Sequence, residues 1–141
     1  MIETPYVSVD GIVELFDSEG CFVGIVLISR KNPPYGWALP GGFVDIGETV
    51  EQAVCREMHE EISLEVQVDR LLGVYSDPAR DPRFHTVSAV FVCRATGVPM
   101  AADDAKEVRV VSRDEAHALP LVFDHQRIME DYLSGKQCVT D

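Results

Sequence analysis

Behind the pair Gly41-Gly42 the chain sets charged residues at fixed intervals. Five residues separate Gly42 from Glu48, seven more separate Glu48 from Arg56, and Glu57, Met58, His59, Glu60 and Glu61 follow at once. Carboxylates in this number, with one guanidinium among them, form the kind of oxygen-rich set that hard divalent cations such as Mg2+ prefer. Sites of that kind commonly act on phosphates.

An element must hold these side chains together. Residues 49–62 contain no Gly or Pro, and the spacing predicts a helix. On it Glu57, Glu60 and Glu61 share one sector, because residues i, i+3 and i+4 are neighbours. Val54, Cys55, Met58 and Ile62 fall in an adjoining sector that faces a core, while Thr49, Gln52, Arg56 and His59 take the polar side. A solvated acidic face explains most Glu-Glu pairs. Three clustered carboxylates, however, repel one another unless a cation or an arginine neutralises them. A purely structural helix gains nothing from that arrangement.

Residues 42–64 resemble the Nudix box, written G-x5-E-x7-R-E-U-x-E-E-x-G-U with U apolar. They match it at every specified position except Ser63, where the family has Gly. That position falls at the helix C-terminus, where a left-handed residue often closes the helix. Serine adopts that conformation at a cost of roughly 1 kcal/mol, and no ligand is lost. The resemblance implies an α/β fold, the Nudix-type α/β/α sandwich with a mixed central sheet. It also implies roles. Glu57, Glu60 and Glu61 match the metal-binding carboxylates, and Gly41 the place where a backbone carbonyl joins them. Glu48 and Arg56 match a salt bridge that orients those ligands. Glu107 matches a further carboxylate from outside the box, which binds a metal or activates water. The general base is left open between Glu107 and a box glutamate. The implied cofactor is Mg2+, with Mn2+ as the alternative.

Composition agrees with a small enzyme. A chain of 141 residues predicts one domain, 1–141, with a real core. Hydrophobic residues make up 46% and there are six Phe, four Tyr and one Trp, which excludes a disordered chain. No apolar run is long enough to span a membrane, and Met1-Ile2-Glu3-Thr4 does not read as a signal peptide. Cys21, Cys55, Cys93 and Cys138 form no Cys-x-x-Cys pair, so reduced thiols in a cytoplasm are expected, with Cys55 and Cys93 buried. A net charge of −12 argues against nucleic acid and membrane surfaces as partners. It also repels a phosphate substrate unless cations reverse the local field.

The pattern predicts strands over 6–16 and 21–29 around a turn at 17–20, a Pro-rich loop at 31–36, and a short strand at 37–39. Further strands are predicted over 66–75, 86–94 and 108–112. Helices are predicted over 113–119, capped by Ser112, and over 123–134. Strands mixed with helices in this order imply a layered α/β domain.

Two stretches outside the box carry further signal. Residues 73–88 hold two Asp-Pro steps with Arg80, Arg83 and His85, and residues 102–108 bring more carboxylates. Each reads in isolation equally well as a rigid or solvated loop. Together with residues 38–44 they resemble the ADP-ribose pyrophosphatase branch of the Nudix family. That similarity runs from about residue 5 to 132 and includes Phe123-Asp124-His125. Phe84 departs from it, since the branch usually has a small residue there. The resemblance implies hydrolysis of ADP-ribose, a small-molecule nucleotide substrate, to AMP and ribose 5-phosphate, in a homodimer. Arg80, Arg83 and Arg30 are then candidates to meet the diphosphate through their planar donors. Tyr6, Trp37 and Phe43 are candidate flat surfaces for adenine, although lone aromatics more often pack in a core. One alternative is a Nudix enzyme that cleaves nucleoside triphosphates, such as oxidised ones. A zinc-containing NADH pyrophosphatase lacks support without a four-cysteine cluster. The remaining alternative is a non-catalytic ADP-ribose sensor.

Overall fold

Long apolar strands frame the sheet. In the computed structural model, which describes residues 1–135 and 139–140, β1 (Tyr6–Phe16) and β6 (Thr86–Thr96) run parallel and in register along their whole length. β2 (Phe22–Arg30) pairs antiparallel with β1, and β5 (Gln67–Tyr75) antiparallel with β6. The short strand β3 (Trp37–Ala38) extends the β2 edge, and β8 (Val139–Thr140) extends the β5 edge. β4 (Gly41–Phe43) pairs with β1, and β7 (Ala105–Val111) pairs with β2. The sheet is mixed, as expected. β4 and β8 are additions, too short to show in a hydrophobic pattern. β7 starts at Ala105, three residues earlier than expected. Cys138 lies outside the described residues.

Alternation along the strands makes two cores. On β1, Val9, Val13 and Leu15 face α1 (Val50–Ile62), whose Val54, Met58 and Ile62 are fully buried against them. Burial of that kind stabilises by about 1.5–3 kcal/mol per side chain. Ile12 faces the opposite layer with Ile25, Leu27, Val90 and Val92. There they meet α2 (Arg113–Ala118) and α3 (His125–Leu133) through Ala116, Ile128 and Met129. The result is a sheet between helical layers, the expected α/β/α sandwich. Cys93 is buried, Cys55 half-buried and Cys21 exposed, all as free thiols. Among the described residues no helix is long and apolar enough to cross a membrane.

Ser63 closes α1 in the left-handed conformation, φ 61° and ψ 31°, with its N–H donating to the His59 carbonyl. Ser63→Gly should therefore stabilise the fold by about 0.5–1 kcal/mol by removing that strain. A thermal melt should show a rise of a few degrees, and an unchanged or lower midpoint would contradict the strain argument.

Candidate active site

A capping box sets the phase of α1. The Thr49 hydroxyl accepts from the Gln52 N–H, and the Gln52 side chain accepts from the Thr49 N–H at 2.9 Å. Arg56 is thereby turned back onto the loop that precedes the helix. Its Nε and Nη2 donate to the two oxygens of Glu48, at 2.6 and 2.9 Å. Its Nη1 donates to Glu57 at 2.8 Å and to Glu60 at 3.1 Å, and its Nη2 also donates to the Phe43 carbonyl. One guanidinium thus ties the loop to the helix and fixes Glu57. The hydrogen bonds from Arg56 are the main reason that the Glu48 carboxyl is held down to about 2. Burial pushes the Glu57 carboxyl up, with Arg56 opposing.

β4 places two glycines where side chains would not fit. A Cβ on Gly42 would collide with the Glu57 carboxylate, and one on Gly41 with the Val9 carbonyl and the Asp10 carboxylate. The Gly41 N–H donates to Glu61 at 3.3 Å. Glu61 is 4% exposed, and its carboxyl is pushed up to about 8. Burial is the main cause, the Gly41 N–H opposes it, and Glu57 and Asp10 add to it.

A cavity of about 290 Å³ opens here. Its lining combines carboxylates, among them Asp10, Glu57, Glu61 and Asp104, with the guanidiniums of Arg30, Arg80 and Arg83. Asp10 accepts from the buried Ser88 hydroxyl at 2.5 Å, and its other oxygen faces His125 Nε2 at 3.6 Å. The Leu39 N–H donates to His125 Nδ1 at 3.0 Å, which leaves the proton of a neutral imidazole on Nε2. Burial holds the imidazole below its ordinary pKa, against the pull of Asp10. His125 is therefore a neutral wall of the cavity.

The structure brings Gly41, Glu57, Glu61, Arg30, Arg80, Arg83 and Phe43 to one lining. Arg80 is only 4% exposed at its side chain. Its Nε and Nη2 grip Asp124 at 2.9 and 2.8 Å, and its Nη1 donates to Thr86 at 2.7 Å. It braces the 77–85 loop against the start of α3. Glu48 and Arg56 stand behind the lining as an orienting pair. Glu60 is exposed and held by Arg56. Glu107 is exposed on β7, opposite Ser29, and is not brought to the lining. The early start of β7 leaves Asp104, in the loop before it, in that place. Trp37 packs against the α2–α3 core, outside the cavity. Asp10 had a signal in the sequence, one of two carboxylates, with Glu14, inside an apolar strand. Phe123 and His125 had none beyond the family similarity.

The loop–helix unit, set in an α/β/α sandwich, defines a class. The chain belongs to the NUDIX domain family, whose model matches residues 5–132. It is similar to the ADP-ribose pyrophosphatase of Methanocaldococcus jannaschii, with 48% identity over 94% of this chain and 75% of that protein. A Bacillus subtilis protein named as a proposed 8-oxo-dGTP diphosphatase is 34% identical over 82% of this chain and 74% of its own length. The fold is also that of the NUDIX domain of NrtR from Shewanella oneidensis, solved with ADP ribose. That match has a TM-score of 0.79 and 22% identity, and covers 95% of this chain and 90% of that one. The enzyme class is Nudix pyrophosphohydrolase.

The Glu48–Arg56 pair gives a test of how far positioning matters. Glu48→Gln should lower kcat/KM by roughly 10–100-fold and raise the cation concentration needed for half-maximal rate, because Glu57 loses its fixed orientation. Wild-type cation dependence in the variant would remove the orienting role.

Proposed function

We propose that the protein hydrolyses the pyrophosphate bond of ADP-ribose, giving AMP and ribose 5-phosphate, with Mg2+ as cofactor and Mn2+ as the alternative. One observation carries this reading. Glu57 and Glu61, half-buried and buried carboxylates, share a lining with Arg30 and Arg83, so the cavity offers donors for a cation and donors for an anion together. The 48% identity to a named ADP-ribose pyrophosphatase supports the substrate.

Nudix hydrolases generally need a divalent cation. Among the described residues no three His, Cys, Asp or Glu side chains converge into a ready cage. Mg2+ asks for less, since it takes one or two carboxylates and completes its shell with water and substrate phosphates. The all-oxygen donors here fit that demand. Glu57 and Glu61, with the Gly41 carbonyl, would hold it, while Glu60 stands outside the lining on Arg56. When bound, the cation offsets charge on the pyrophosphate and lowers the pKa of the attacking water. The protein supplies the rest. Arg56 fixes Glu57, the Gly41 N–H fixes Glu61, and Arg30 and Arg83 meet the phosphate oxygens. A box glutamate suits the role of water-activating base better than Glu107, which is exposed outside the lining.

A cavity of about 290 Å³ does not enclose a whole ADP-ribose. Phe43, at its edge, lies 5.8 Å from Tyr6 and 5.9 Å from Phe84, and these two lie 4.8 Å from each other. The three exposed rings offer the flat apolar surface that adenine requires. In this reading the single domain works as a cytoplasmic homodimer. A second reading, hydrolysis of an oxidised nucleoside triphosphate, is supported by the Bacillus subtilis relative. The discriminating experiment compares kcat/KM for ADP-ribose and 8-oxo-dGTP, beside NADH and sugar nucleotides, at fixed Mg2+. ADP-ribose well ahead of the panel is expected, and a preference for 8-oxo-dGTP would replace the first reading with the second.

A further inference from the structure

Phe123 carries two features that the hydrolytic chemistry leaves unexplained. Its backbone is left-handed, φ 57°, a conformation that a bulky side chain seldom adopts. Its ring lies under two cations, with the Arg30 guanidinium carbon 4.9 Å and that of Arg83 5.3 Å from its centroid. All three residues line the cavity.

Two guanidiniums at one ring repel each other. The Arg30 guanidinium is held below its ordinary pKa by burial and then by the charge of Arg83. Asp81 balances Arg83 through bonds of 3.0 and 2.9 Å. Arg30 donates only to the carbonyls of Pro34 and Pro33 and, among the described residues, forms no ion pair with a carboxylate. Arg30 thus feels Glu61, Asp104 and Asp81 only at a distance and can take an anion as its direct partner. An aromatic face attracts both cations through its quadrupole, and an aliphatic side chain of equal bulk does not. A strained backbone kept at a cavity wall points to a task for the side chain it carries.

We propose that Phe123 is a positioning residue whose ring holds Arg30 and Arg83 together as a two-guanidinium receptor for the diphosphate of the substrate. This rests on the reading of the cavity as a pyrophosphate site, and its test does not require ADP-ribose to be the substrate. The probe is inorganic pyrophosphate with Mg2+, titrated calorimetrically into the wild-type protein, Phe123→Leu, Phe123→Met, Phe123→Trp and Arg30→Gln. Phe123→Leu and Phe123→Met should weaken pyrophosphate binding about tenfold, and Phe123→Trp should retain it. KM for the best substrate should rise in the same order, with kcat within about twofold of wild type. Arg30→Gln, which leaves the ring and the backbone in place, should weaken binding by at least as much. No pyrophosphate binding by the wild type, equal affinity in the Leu, Met and Trp variants, or an Arg30→Gln variant that binds normally would each overturn the receptor. Ring-dependent binding in a protein that prefers a triphosphate would instead overturn only the ADP-ribose reading.

Discussion

Glu57→Gln should lower kcat about 10³-fold or more, equivalent to roughly 4 kcal/mol of lost transition-state stabilisation. The substitution keeps the shape of the side chain and its contact with Arg56, but removes the charge that faces the cation. It also removes a like charge beside Glu60 and Glu61, so the thermal midpoint should barely move. Gly42→Ala checks the same point from the other side, because the added methyl collides with the Glu57 carboxylate and displaces it. That variant should approach the activity of Glu57→Gln without any change to an ionisable group. Steady-state rates at saturating Mg2+ test both. Near-normal kcat in either variant would mean that Glu57 does not hold the cation that acts on the phosphates.

The second large effect is on stability. Asp124→Ala leaves the Arg80 guanidinium buried without its carboxylate, with only Thr86 and weaker neighbours to satisfy it. Breaking a buried pair from one side costs about 3–5 kcal/mol. That is a large share of the ~5–15 kcal/mol that holds a domain of this size together. At roughly 2–4 °C per kcal/mol, the midpoint should fall by about 6–20 °C. Replacing both partners, as in Arg80→Met with Asp124→Leu, removes the orphaned charge and should recover most of that loss. Differential scanning calorimetry of the single and double variants decides it. A double variant no more stable than Asp124→Ala would show that the pair does more than compensate its own burial.

How much of this was legible beforehand depended on the range of the interaction. The spacing of Glu57, Glu60 and Glu61 with Val54, Met58 and Ile62 fixes which side of α1 faces the sheet, because helix periodicity is local. Ser63 as a left-handed terminus follows from the same short window, whereas Thr49, expected as the first helical residue, is instead the cap. The Glu48–Arg56 pair spans eight residues and came through the box pattern. What the sequence hid is joined by tertiary contact. Arg80 meets Asp124 across 44 residues, and His125 meets Leu39 across 86. No local pattern distinguishes an arginine that binds a substrate from one already held by a distant aspartate. Glu107 and Asp104 are the sharpest instance. Both belong to one acidic stretch, and the start of β7 at Ala105 decides which of them lines the cavity.

The most direct measurement is the product analysis of ADP-ribose incubated with the protein and Mg2+, with and without excess chelator. The account predicts AMP and ribose 5-phosphate in a one-to-one ratio, formed only while the cation is available. Intact ADP-ribose under both conditions, or cleavage that continues in the chelator, would contradict it.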